Sequence, residues 1–155
     1  MKRWILRGLQ VLVVLPVVIQ LVPYGRNHTN PPITSEPAWS DAETRSLAFR
    51  ACFDCHSNET TWPWYTNVAP VSWLAQRDVV QGRDELNYSE WDGSQEGDES
   101  AEKVLDGSMP PWFYLLTHPE ARLSDAETRT LVQGLRATFG EKADESGEGS
   151  DEDDD

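Results

Sequence analysis

Three residue types that often carry cofactors are scarce in this 155-residue chain: two cysteines, two methionines and three histidines. Two thiols exclude a disulfide-dense scaffold and any four-thiolate zinc site within one chain. Basic residues are few as well, 13 Lys and Arg against 27 Asp and Glu, for a net charge of −14. Polyphosphate ligands need Lys- and Arg-rich faces, so this balance excludes nucleic acid as a partner. The imbalance is uneven along the chain. Residues 1–26 hold four bases and no acid, whereas residues 141–155 hold nine acids and one Lys. Between them, residues 27–140 carry 18 acidic and eight basic side chains, a net of −10. Sustained period-two alternation is missing everywhere, which argues against a sheet.

What is present begins with an apolar run. From Gly8 to Gly25, 18 consecutive residues are uncharged, most of them Val, Leu and Ile. As a helix rising about 1.5 Å per residue they span roughly 27 Å, just short of a bilayer core of about 30 Å. Gln10, Pro16 and Gln20 weaken the pattern, although membrane helices tolerate Pro. Lys2, Arg3 and Arg7 precede the run and only Arg26 soon follows it, so the positive-inside rule keeps the first residues cytoplasmic and exports the rest. A cleaved signal peptide needs small residues before its cut, yet the first alanine is Ala38. The expectation is therefore an uncleaved single-pass anchor over residues 1–26. It would place the body on the extracytoplasmic (periplasmic) side of the cytoplasmic membrane.

Residues 27–39 hold three prolines and few apolar side chains, and read as an extended linker. The body, residues 40–140, reads as mainly α. Ser40-Asp41-Ala42-Glu43 has the form of a capping box, and the string returns as SDAETRTL at 124–131, so two helices are expected to start with the same cap. The second carries Leu131, Val132, Leu135 and Phe139 on one face and stops at Gly140. A further helix is predicted over Val71 to Gln81, opened by Pro70 and ended by Gly82, and a short one near 98–106, closed by Gly107. The segment 141–155 has no apolar residue larger than Ala and is expected to be a disordered acidic tail.

The string that carries chemistry is Cys52-Phe53-Asp54-Cys55-His56. This C-x-x-C-H spacing is the attachment signature of c-type haem. Two thiols one helical turn apart can add to the two vinyl groups of a porphyrin, and the adjacent His56 can then donate an imidazole nitrogen to the iron. Three other readings compete with it. A thioredoxin-like dithiol expects a βαβ context, which is absent. A zinc site on Cys52, Cys55 and His56 needs one more ligand, and His28 and His118 are the remaining imidazoles. A structural disulfide across two intervening residues would constrain the chain little. For a sixth ligand the candidate is Met109, the only methionine besides Met1, set in Gly107-Ser108-Met109-Pro110-Pro111-Trp112. The prolines restrict the loop, and thioether ligation raises reduction potential. A methionine filling a gap in the core is the plainer alternative. His118 is the rival ligand and would give bis-His coordination. Seven tryptophans, with the segments at 62–65 and 112–114, suit the large apolar walls that a flat porphyrin demands, or pack on one another. Arg77 and Arg83 could pair with haem propionates or form ordinary surface ion pairs.

The strings ACFDCHSNET, TWPWY, NVAPVSW, GRDELNYSEW, GSMPPW and THPEARLSDAE together resemble the small membrane-anchored haem-binding domain proteins of bacteria, relatives of class I cytochromes c. The resemblance runs from about Asn27 to Gly140. It implies one haem c held covalently at Cys52 and Cys55, His56 as axial ligand, Met109 as the natural second ligand, and a cytochrome c-like helical fold. The functional expectation is a monohaem carrier of single electrons, bound to the lipid bilayer by its first helix and steered by its acid to a basic-faced redox partner. The competing expectation is a haem peroxidase or a redox or gas sensor with an exchangeable sixth ligand.

Overall fold

The computed structural model describes residues 2–140; the acidic segment expected at 141–155 lies outside the described residues. Among the described residues the chain is helical, and no strand forms beyond one isolated parallel bridge between Ser35 and Glu90. The α-helices are α1 (Lys2–Val18), α2 (Ala42–Ala51), α3 (Phe53–His56), α4 (Val71–Glu85), α5 (Ser100–Leu105) and α6 (Asp125–Phe139). The chain forms two compact units. One comprises Ala48–Gln95 with the chain up to Pro37; the other comprises Ala38–Leu47 with the chain from Glu96 onward.

In the first unit, α1 continues through a 3-10 turn, Ile19–Leu21, before Pro23 denies it a further donor. Arg3–Leu21 is one helix long and apolar enough to cross a membrane. Gln20, one of the two glutamines in that run, has its partners at hand. The Gln20 amide donates to Pro16 O and Ala69 O at 2.9 Å each, while its Oε1 accepts from Ala69 N (3.0 Å) and Arg26 (3.1 Å). Every polar atom of that side chain is therefore satisfied.

Residues 27–37 are extended, as their prolines suggest, but they are pinned rather than loose. His28 stacks on Trp62 at 4.5 Å, Asn30 donates to Thr60 O and accepts from Trp62, and Thr34 N donates to Ser89 O. The core of this unit is Phe53 and Tyr88, rings 5.4 Å apart and almost fully buried, with Val79 and Leu86. Burying such a side chain stabilises by roughly 1.5–3 kcal/mol.

The second unit is built on α5 and α6, with Ala101, Val104, Leu131, Val132 and Leu135 buried. The expected apolar stripe of α6 thus faces a core, and Gly107 and Gly140 close their helices at φ +76° and +87°, where a side chain would be strained. The two SDAET strings do not cap alike. Before α6 the reciprocal box forms: Glu127 N donates to Ser124 Oγ and Ser124 N to Glu127 Oε2. Before α2 the cap is Asp41, whose carboxylate accepts from Thr44 N (2.8 Å) and Thr44 Oγ1 (2.7 Å). Those bonds hold the Asp41 carboxyl below its usual range. The Ser40 hydroxyl lies within donating distance of Asp41 Oδ2 (3.0 Å) and Gly134 O (3.2 Å), and its N–H donates to Thr138 Oγ1. Thr44 lies against Gly134 so closely that a Cβ there would overlap its side chain.

Candidate functional site

The chemistry-bearing string forms one turn. Cys52 closes α2 through its N–H to Ala48 O (2.8 Å), then leaves helical geometry at φ −126°, which starts α3 on a new axis. Cys55 N and His56 N both donate to Cys52 O, at 3.1 and 2.9 Å. Both thiols and the imidazole therefore leave one turn whose backbone is fixed. Phe53, between them, is the buried root of the turn, and Ser57 Oγ donates back to Phe53 O at 2.8 Å.

The helix α4 sets the turn from one side. Gly82 does not end this helix; the helix continues to Glu85, and Gly82 is buried in it. A Cβ at Gly82 would lie 2.5 Å from the Cys55 carbonyl oxygen and 3.0 Å from Cys55 Cβ. The glycine is a contact surface, because only a residue without a side chain lets two backbones approach so closely.

The segment after α4 sets it from the other side. His56 O accepts from Tyr88 N (2.8 Å), and His56 Nδ1 lies 3.1 Å from Leu86 O. A backbone carbonyl can only accept, so Nδ1 carries the proton and Nε2 keeps its lone pair. Burial holds the His56 pKa below its usual value; the carbonyls of Leu86 and Gly82 and the Glu85 charge oppose this only in part. A neutral ring fixed through Nδ1 is the form in which histidine serves as a metal ligand. Asn87 Nδ2 donates to Asn58 Oδ1, Ser89 N to Asn87 Oδ1, and Asn58 N to Ser89 Oγ, a buried set of bonds that locks the Leu86–Ser89 backbone under the histidine.

Arg83 is bonded to four neutral oxygens. Its Nε donates to Ser57 O (2.7 Å), and its terminal nitrogens donate to Thr29 O, Asn30 Oδ1 and Thr60 Oγ1 at 2.9–3.0 Å. The guanidinium ties the chain after the motif to the extended 29–30 segment. Arg77 is exposed on α4.

Both motif thiols are held neutral, pushed up to about 12. For Cys52 burial is the first cause and Cys55 the second; for Cys55 burial is followed by the charges of Asp54 and Asp78, opposed by Arg83. A reactive dithiol needs a thiolate near neutral pH, so this environment disfavours one. Among the described residues, no group of three or more His, Cys, Asp or Glu is placed to hold a metal ion. His28 is bonded through Nε2 to Thr66 O.

In the second unit, Met109 is 37 % exposed on a fixed loop. Met109 N donates to Lys103 O (2.9 Å), Ser108 N to Asp106 Oδ1 (2.8 Å) and Ser108 Oγ to Lys103 O. Tyr114 N then returns to Pro111 O. His118 is stacked on Tyr114 at 3.9 Å, with Nδ1 3.0 Å from Tyr114 O and from Thr117 Oγ1. Trp64 and Trp112 are largely exposed and pair at their edges with their chain neighbours Tyr65 and Phe113.

Sequence reasoning singled out the motif but missed three of its supports: Gly82 as a contact, the Leu86 carbonyl, and the Asn58–Asn87–Ser89 bonds. All but Asn58 and Ser89 fall on the front of the GRDELNYSEW string, and Ser89 lies within it. No curated protein and no solved structure matches the chain. A family model described as a haem-binding domain matches residues 14–137, starting inside α1 rather than near Asn27. With most of its length covered by that match and a neutral histidine seated beside two thiols, the chain belongs to the haem-binding domain family and binds haem.

Proposed function

We propose that this is a membrane-anchored c-type monohaem protein that transfers single electrons on the extracytoplasmic side of the cytoplasmic membrane. The observation that carries the reading is the single turn 52–56: two neutral thiols one turn apart and a neutral imidazole held through Nδ1. That donor set fits a haem c. Each S–H would add across one vinyl group, so no atom is lost and no oxidant is needed. Haem, when bound, supplies a one-electron iron couple.

The protein's own part is to hold and exclude. His56 Nε2, oriented by the Leu86 carbonyl, would hold the iron. Met109, on a loop that Lys103, Ser108 and two prolines keep in place, would supply the second ligand. With both ligands engaged the group would serve a carrier rather than a peroxidase or sensor. The domain that does this comprises residues 40–140 with the pinned 27–37 segment, and 1–26 is its anchor. An acidic body of −10 over residues 27–140 steers it to a basic-faced partner, a rate effect that salt weakens.

The Met109→Ala variant tests the coordination. The wild type should be low-spin in both oxidation states, show the ferric charge-transfer band of sulfur ligation and bind cyanide slowly. The variant should lose that band, gain a high-spin component and bind cyanide several-fold faster. A high-spin wild type, or a band unchanged in the variant, would move the reading to an exchangeable site, with His118→Ala as the next variant.

A further inference from the structure

The anchor does more than precede the haem-bearing unit; it is bonded to it. Arg3–Leu21 is 19 residues long, about 28 Å at 1.5 Å per residue, so a span of this length has its outer end near Gln20. Gln20 exchanges two hydrogen bonds with the Ala69 backbone, at 2.9 and 3.0 Å. Two further ties follow. Ser72 Oγ donates to Tyr24 O (3.3 Å), and Gly25, at φ +77°, lies on the Ser72 carbonyl where any side chain would overlap it. Residues 69–72 are thereby held at the depth of the helix end.

The surface around that contact is apolar and open. Trp64 is 78 % exposed, Val68 42 % and Val71 41 %, beside Val22 and the half-exposed Tyr24. From residue 62 to residue 76 there is no Asp, Glu, Lys, Arg or His, although 26 % of the chain is charged. Trp and Tyr are the residues enriched where hydrocarbon meets headgroups. A lipid surface satisfies such a patch, because indole and phenol bury their rings and keep their polar atoms wet.

We propose that the segment 64–71 is a membrane-seating surface: it lies in the headgroup–acyl boundary of the outer leaflet beside the anchor, with Trp64, Val68 and Val71 in contact with lipid. The inference rests on the anchor reading given above. It sets the haem-bearing unit at a fixed height on the bilayer instead of on a free tether.

The test uses the full, haem-loaded chain in vesicles of phosphatidylethanolamine and phosphatidylglycerol. A nitroxide is attached to a single added cysteine in Leu12→Cys, Val68→Cys or Asp92→Cys, three exposed positions, and collision with oxygen is compared with collision with a water-soluble nickel chelate. Positions 12 and 68 should favour oxygen several-fold over position 92. If 12 favours oxygen while 68 resembles 92, the seating surface is refuted and the anchor stands. If 12 itself favours nickel, the anchor reading fails and the seating surface fails with it. Label uptake by the parent chain reports separately on Cys52 and Cys55; if they react, the three positions are read in the Cys52→Ala, Cys55→Ala chain.

Discussion

Replacing Gly82 with valine should lower the unfolding temperature sharply and reduce haem incorporation with it. The hydrogen of Gly82 is the only substituent that fits against the Cys55 carbonyl, since a Cβ would meet that oxygen at 2.5 Å. Neither side can give way cheaply. The Cys55 N–H is bonded to Cys52 O, and α4 is anchored below by buried Val79 and above by Leu86. Overpacking of this kind costs about 1–3 kcal/mol, and a branched side chain belongs at the upper end. For a chain of this size each kcal/mol lowers the midpoint by roughly 2–4 °C. Alanine at the same position should lose less, because its helix propensity exceeds that of glycine by about 1 kcal/mol and offsets part of the clash. Thermal unfolding followed by circular dichroism should therefore rank wild type, Gly82→Ala and Gly82→Val in falling order. Gln81→Ala, on the exposed neighbour, should match the wild type. If Gly82→Val unfolds with the wild type, α4 does not pack on the motif at Gly82.

Arg83→Met should be comparably damaging, through polar rather than steric loss. The guanidinium donates to four acceptors, two of them in part-buried surroundings, Ser57 O and Thr60 Oγ1. A hydrogen bond to a charged group contributes about 1.5–3 kcal/mol, and the exposed pair to Thr29 and Asn30 adds less. A loss of about 3 kcal/mol corresponds to a midpoint roughly 10 °C lower. Arg83→Lys should recover only a fraction, since one ammonium cannot reach a fork of four acceptors. The experiment also separates two roles. A propionate partner would alter the haem spectrum while leaving the stability of the haem-free chain unchanged. The structural clasp described here lowers the haem-free chain as well, and equal midpoints in that form would contradict it.

The motif was legible because its chemistry is local: C-x-x-C-H lies within one turn, and each helix stop at Gly107 and Gly140 needs only its own φ. What escaped depends on contacts distant in sequence. Ser40 and Ser124 stand in the same string, yet only Ser124 forms the box: before α2 the Asp41 carboxylate takes the Thr44 N–H, while Ser40 meets Gly134 and Thr138, 94 and 98 residues away. Gly82 looked like a helix stop, since a sequence cannot distinguish a glycine that ends a helix from one that admits a neighbour. The 27–37 segment has the composition of a tether, and the groups that pin it are side chains of Asn58, Trp62 and Arg83 and the backbone carbonyls of Thr60 and Ser89. Gln20 seemed to weaken a membrane helix until its partners at Ala69 were in view.

The central claim is that Cys52 and Cys55 carry the haem covalently. It is tested most directly on a denaturing gel of chain exported by cells that mature c-type cytochromes, stained for haem and paired with an intact mass. The wild type should keep its stain and weigh one haem more than the polypeptide. Cys52→Ala/Cys55→Ala should lose both, because haem held only by iron ligands leaves when the fold does. A wild type without stain, or a double variant that retains it, would contradict the account.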